Sequence, residues 1–338
     1  MDHSIFVDVW YALAVLILFL YVGLSGIDLG VCLLSLLVPR EETEDVLESI
    51  DGVWHANQTW LVVLGAVLFG AFPLLYATLL STLYVPFILL LAMLILRGVA
   101  LEYREEATGR HPWRVAAGLG ALGVVLVLGT ILGAMLGGVA RTDGVAGTLD
   151  FLHPATFPAV LHLLFSALLL GGSWLAGHDA EPDDAAEQMS GNGPRAKTLA
   201  RDAVVVGALG VLATAWPICL RLLEAAHASA RDMLGFYLPL GGVGLVALIL
   251  LLRSLRRDWD GSPLPWALTL VGTGIAAFFA TLHPLVLPPA LTAAQAAAPD
   301  DSLKFLAGAF ALALPPLLVF NAWQYRLFRR RSARSETR

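Results

Sequence analysis

Charge is the scarcest property of this chain. Asp, Glu, Lys and Arg make up only 14% of its 338 residues, where an ordinary soluble domain carries roughly 25%. Cysteine is almost absent as well. Cys32 and Cys219 stand far apart inside apolar segments, so no disulfide framework or metal knuckle follows, and both read as small apolar packing residues. The N-terminus lacks the basic n-region and small-residue cleavage site of a signal peptide, so the first apolar run is expected to stay as a membrane helix. No nucleotide-binding loop, zinc spacing or nucleophile with its base is present. A formal net charge of −6 argues for no polyanionic partner, nucleic acid included.

What is abundant is apolar surface, at 58% of residues. A hydrocarbon core of ~30 Å takes ~20 helical residues to cross, and apolar stretches of that length recur along the whole chain. The expectation is an all-α polytopic membrane protein forming a single membrane domain. Nine spans are read at 9–38, 53–76, 80–101, 113–140, 156–177, 199–222, 233–252, 264–287 and 303–328. The second and third should form a tight pair, because only the stretch around Phe72, Pro73, Tyr76 and Tyr84 offers a turn. Those aromatics suit a membrane–water interface. The longest polar interruption, 178–198, is acidic and then contains Gly and Pro. It reads as a solvated loop separating a first helix group (9–177) from a second (199–328), with a basic tail at 329–338.

Basic residues set the expected orientation. With the N-terminus outside, 17 of the 21 Lys and Arg fall on inner loops or the C-terminal tail, and only Arg141, Arg221, Arg231 and Lys304 lie outside. Alternate loops obey the positive-inside rule. The expectation is therefore an inner-membrane protein with a periplasmic N-terminus and a cytoplasmic C-terminus.

An ionisable group inside a span is costly and normally faces the bundle interior. Asp28 lies within Gly26-Ile27-Asp28-Leu29-Gly30 in the first span, where the glycines permit close helix approach and the carboxylate needs a partner. The second span opens with Trp54-His55-Ala56-Asn57-Gln58-Thr59-Trp60, and the third returns with Arg97 and then Glu102-Tyr103-Arg104. By topology Asp28, His55 and Arg97 share the cytoplasmic half of three consecutive helices. One reading is a proton entry, since His titrates near neutrality and Asp can relay; Asp28, His55, Arg97 and Glu102 are its candidates. The plainer reading is a structural Asp28–Arg97 ion pair, with Arg104 and Trp54 snorkelling to the interface. Glu224 and Arg221 are expected to snorkel at the outer end of the sixth span. A haem needs an axial ligand such as His or Met, but His153, His162 and His283 are dispersed, and two of them precede proline as at a turn.

From Gly26 to Arg104 the chain resembles subunit II of the cytochrome bd quinol oxidases. The matching pieces are Gly26-Ile27-Asp28-Leu29-Gly30-Val31; Trp54 with Asn57, Gln58, Thr59 and Trp60; Leu68-Phe69-Gly70-Ala71-Phe72-Pro73; and Arg97-Gly98-Val99-Ala100 with Glu102-Tyr103-Arg104. Beyond Arg104 the likeness rests on helix number, length and orientation. The short length and the run Tyr84 to Arg104 look most like the cyanide-insensitive branch. The resemblance implies a complex that oxidises quinol and reduces oxygen to water. It implies haems b and d in a partner subunit I, none bound by this chain, and leaves quinone as a candidate ligand beside membrane lipid. It also implies two four-helix groups plus one peripheral helix, a role in assembly, a proton or oxygen path to the haems, and room for small single-helix accessory subunits.

Two positions depart from the family pattern. The family usually has Asp where this chain has His55, within Trp-Asp-Gly-Asn, and another Asp where this chain has Ser25. The position of His55 is associated in the family with the cytoplasmic proton path. Either His55 replaces that carboxylate or the path runs elsewhere. The competing function is a secondary transporter with an Asp28/Arg97 site near the midplane, although no convincing repeat pair of the kind common in transporters is present.

Overall fold

The computed structural model describes residues 3–104, 106, 109–138, 151–178, 194–215, 235, 237–256, 262–289 and 291–332. Helices dominate: α1 (His3–Ser35), α2 (Thr43–Glu48), α3 (Trp54–Ala71), α4 (Pro73–Thr82), α5 (Tyr84–Tyr103), α6 (Arg110–Leu136), α7 (Thr156–His178), α8 (Pro194–Thr214), α9 (Leu238–Ser254), α10 (Leu264–Leu282), α11 (Ala293–Ala296) and α12 (Asp300–Ser332). The only strands among the described residues are β1 (Leu285–Leu287) and β2 (Leu291–Thr292), which pair antiparallel between α10 and α12. In lipid the backbone must satisfy its own hydrogen bonds, which is why apolar runs of this length become helices.

The all-α polytopic expectation holds, while the span count does not follow from it. Among the described residues six helices (α1, α5, α6, α7, α10 and α12) are long and apolar enough to cross a bilayer, and the α3/α4 pair makes a seventh if taken as one span. The described parts of the expected sixth and seventh spans do not meet that measure on their own. The first half of α8 carries Arg195, Lys197, Arg201 and Asp202, and α9 has only 17 residues. Part of both expected spans, with Cys219, Arg221 and Glu224, lies outside the described residues.

Several boundaries move for local reasons. The second span does not run unbroken to Tyr76: α3 stops at Ala71 and α4 leaves it at 117°. Pro73 has no N–H to donate, and its fixed φ suits the first position of a new helix, so the chain breaks at Phe72 and restarts. The third span begins at Tyr84 rather than Leu80, because α4 occupies the turn. The eighth expected span ends as helix (α10) at Leu282, and Leu285–Leu287 is strand. Most of the expected loop at 178–198 lies outside the described residues; α7 reaches His178 and α8 starts at Pro194.

Helix α7 is central, packing on α1, α6, α8 and α10. Lipid tails provide no hydrophobic drive for helices to associate, so close backbone approach and polar ties carry the packing. At the α1/α7 crossing a Cβ on Gly30 would run into the Ala167 carbonyl oxygen, and one on Gly171 would come within 2.6 Å of Val31 N. On the other side of α7, a Cβ on Gly207 of α8 would lie 2.6 Å from Leu169 N.

The bundle has two distinct ends. At one, Glu42 Oε2 accepts from Ala196 N at the start of α8 (2.7 Å), and Ser49 Oγ lies 3.3 Å from Trp174 Nε1 near the end of α7. The loop after α1 thus meets the end of α7 and the start of α8; the ends of α5 and α6 meet there too, as described below. At the opposite end His283 Nε2 lies 3.0 Å from Asp8 Oδ1, and Ala298 N donates to Ala71 O at 2.9 Å.

Candidate functional site

The ionisable groups of the first three spans resolve into two separate pairs. Asp28 and Arg97 are fully buried, with Arg97 Nη2 3.0 Å from Asp28 Oδ2. Leu29 N, 3.1 Å from Asp28 Oδ1, is the other donor to the carboxylate. Arg97 Nε and Nη1 have no hydrogen-bond partner among the described residues, so Asp28 is the partner on which the guanidinium depends. Gly120 of α6 lets the α5 backbone approach here, because a Cβ on it would stand 2.9 Å from Arg97 N.

His55 is in different surroundings. Its Nε2 lies 3.7 Å from Glu102 Oε2, and the two side chains are 60% and 63% exposed. The Trp54 ring covers the imidazole, with centroids 3.6 Å apart. Among the described residues no hydrogen bond or ion pair links His55 and Glu102 to Asp28 and Arg97. The four candidates are therefore two couples, one dry and one wet.

Asn57, two residues after His55, is fully buried and ties three helices together. Its Nδ2 donates to Leu24 O of α1 (3.0 Å), its Oδ1 accepts from Tyr325 OH of α12 (2.8 Å), and its carbonyl accepts from Ser25 Oγ (3.2 Å). Trp60 is buried beside this group. Trp60 Nε1 and Gln58 Nε2 are buried without partners among the described residues. Gly26 faces Leu170, whose Cδ1 would sit 2.6 Å from a Cβ there.

Arg104 does not snorkel. It is fully buried, donating Nε to Glu44 Oε1 at 3.0 Å and pairing through Nη2 with Asp51. Glu44 also accepts from Arg114 Nε at 2.7 Å, and Arg114 Nη1 reaches Arg40 O at 3.1 Å. This network draws α2, α5 and α6 together at one end of the bundle. Reasoning from spans missed Glu44 and Asp51. The available signal was the acidic run around α2, matched by basic residues at the ends of α5 and α6.

The family model for cytochrome bd terminal oxidase subunit II matches residues 6–328. The chain belongs to this family. Among its relatives, subunit 2 of the Escherichia coli (strain K12) cytochrome bd-I ubiquinol oxidase is 35% identical over 143 residues, which is 41% of this chain and 38% of that protein. The aligned region thus spans well under half the length of that relative. Subunit 2 of the Bacillus subtilis (strain 168) cytochrome bd ubiquinol oxidase is 27% identical over 354 aligned positions, covering 97% of each chain. A chain of the bd oxidase structure from Geobacillus thermodenitrificans superposes with a TM-score of 0.76 over 96% of this chain and 98% of that one, at 20% identity, and shows the same fold. These matches do not favour the transporter reading.

A family of cytochromes raises the question of haem ligands. His153 Nδ1 accepts from Ala155 N at 3.2 Å, His283 pairs with Asp8, and His162 Nδ1 lies 2.9 Å from Thr214 Oγ1. Each imidazole is engaged separately, and no second histidine, methionine or cysteine lines the cavity that His162 borders. Among the described residues no group of three or more His, Cys, Asp or Glu could hold a metal ion. Among the described residues, none of these three histidines is brought together with a second candidate haem ligand.

Proposed function

We propose that this chain is the non-haem subunit II of a bacterial cytochrome bd-type quinol:oxygen oxidoreductase, in which it holds the complex together and admits protons through His55 and Glu102. The observation carrying the proton role is the exposed His55–Glu102 pair, 3.7 Å apart at the bundle end where basic side chains gather. An imidazole has one ring nitrogen that donates and one that accepts, so it can take a proton on one side and release one on the other. Both side chains are open to solvent, so each can exchange a proton with water directly. Haems in subunit I would supply the oxygen reduction; this chain contributes acid–base groups, shape and anchorage. Asp28 and Arg97 belong to the second task, as a fixed charge pair inside the helix packing.

The strong bias of Lys and Arg to alternate loops supports a periplasmic N-terminus and a cytoplasmic C-terminus, which puts His55 on the side from which protons are drawn. Within this reading the helices form two four-helix groups with one peripheral helix. The exposed apolar faces of α5 and α12, including Ile88, Ile95, Leu312 and Val319, are available to lipid and to subunit I. The test is His55→Phe in the co-expressed complex. Oxygen reduction should slow while haem content, quinol binding and yield persist, and His55→Asp should retain activity. Unchanged proton-coupled turnover in His55→Phe would reject the relay.

A further inference from the structure

Positive charge exceeds negative where the chain leaves α1 and enters α6. Arg104, Arg110 and Arg114 converge on the single carboxylate of Glu44. Arg104 Nε and Arg114 Nε lie 3.0 and 2.7 Å from its two oxygens, while Arg110 Nη1 stays 4.0 Å away. Asp51 is the second acid of the group and pairs with Arg104. Glu42 is turned to Ala196 N, and among the described residues neither Glu41 nor Asp45 makes an ion pair with the cluster. Arg40, in the loop after α1, has no carboxylate in ion-pair range among the described residues; its Nη2 lies 3.3 Å from His111 Nε2. A guanidinium only donates, so His111 accepts at Nε2 and keeps Nδ1–H as a donor. Arg40, Arg110 and His111 are all exposed. Helix α6 starts here with no acidic residue in its first turn and no side-chain cap, so the positive end of its dipole adds to the same excess.

An apolar surface adjoins these cations. The end of α1 packs on α6, where a Cβ on Gly118 would run into Leu36. The neighbours of that contact, Leu37 and Leu119, are 66% and 51% exposed. Helices α5 and α6 are both long and apolar enough to cross a bilayer. The stacked rings of Tyr103 and Trp113, at the end of one and the start of the other, mark the level of the membrane–water interface. We propose that Arg40, Arg110 and His111 bind the headgroup of an anionic phospholipid, whose acyl chains lie along Leu37 and Leu119. The surface calls for negative charge and hydrocarbon together. A soluble anion supplies only the first. A zwitterionic lipid brings its own cation to a place already in cationic excess. This assignment rests on α5 and α6 spanning the membrane and is independent of any proton transfer at His55.

The test uses the purified oxidase complex in phosphatidylcholine vesicles with a trace of photo-crosslinking lipid. The probe is phosphatidylglycerol or phosphatidylcholine carrying the same diazirine-bearing acyl chains. Label is quantified on peptides covering residues 36–40 and the first turns of α6. One arginine at a membrane surface favours an anionic lipid about fivefold. Phosphatidylglycerol should therefore label these peptides at least about fivefold more than phosphatidylcholine. Arg40→Gln and Arg110→Gln should each lower phosphatidylglycerol labelling by about fivefold and leave phosphatidylcholine labelling as it was. Equal labelling by the two lipids would overturn the proposal, as would undiminished phosphatidylglycerol labelling of either variant. No label from either lipid would mean that protein covers this face, which also overturns it. Inorganic phosphate, compared with chloride at the same ionic strength, should leave labelling unchanged; loss of label would make this a site for a soluble anion instead. If one variant fails to assemble, the wild-type comparison and the other variant decide.

Discussion

Breaking the Asp28–Arg97 pair from its two sides should have unequal consequences. Both side chains are fully buried, and their contact is 3.0 Å. Removing one partner of a buried ion pair typically costs ~3–5 kcal/mol, because a charge is left without compensation. The cost depends on which charge remains. In Asp28→Asn the guanidinium stays cationic, since arginine is not deprotonated in proteins, and its other two nitrogens already lack partners among the described residues. The full ~3–5 kcal/mol applies. In Arg97→Met a carboxylate left alone can take up a proton and become neutral, so the loss falls to that of an unmade hydrogen bond, ~1–3 kcal/mol. The double variant should resemble Arg97→Met rather than the sum of the two, a coupling that a double-mutant cycle reads directly. The assay is the thermal midpoint and yield of the solubilised complex for all four proteins. Equal loss in the two single variants, or a double variant as poor as their sum, would refute the electrostatic account of this pair.

Glycine substitutions should separate backbone contact from side-chain contact. Gly30→Ala puts a methyl group into the Ala167 carbonyl, which belongs to the helix backbone, and should lower stability by at least ~1–3 kcal/mol. Gly26→Ala meets only the end of the Leu170 side chain and should cost less; thermal midpoints of the two variants check the order. Glu44→Gln weakens the contacts to both Arg104 and Arg114 and should lower stability by ~1–3 kcal/mol, with faster hydrogen exchange at the start of α6 as the local readout.

The parts of this molecule visible in its sequence are those in which a local rule forces a distant outcome. Asp28 and Arg97 are rare charges in apolar runs, so each had to find a partner, and each was the nearest one available to the other. Gly30 announced a close helix approach but not its partner, because no spacing in the chain points from Gly30 to Gly171. The same gap explains Arg104. Its position at a helix end suggests snorkelling, and only the three-dimensional return of α2 brings Glu44 and Asp51 over it. Sequence depth groups His55 and Glu102 with Asp28, because depth in a membrane says nothing about which helix face a side chain occupies. Pro73 marks a turn in the sequence. That the turn contains a ten-residue helix depends on Leu75, Thr78 and Leu79 finding a buried surface, which hydropathy alone does not reveal.

Quinol-driven oxygen uptake tests the central claim most directly. It would be measured in membranes carrying the haem-bearing partner with this chain, without it, and with its Asp28→Asn variant. The account predicts cyanide-titratable or cyanide-resistant uptake that requires this chain, with haem absorbance and uptake falling together in Asp28→Asn. Full uptake by the partner without this chain, or no haem-bearing protein co-purifying with it, would contradict the account.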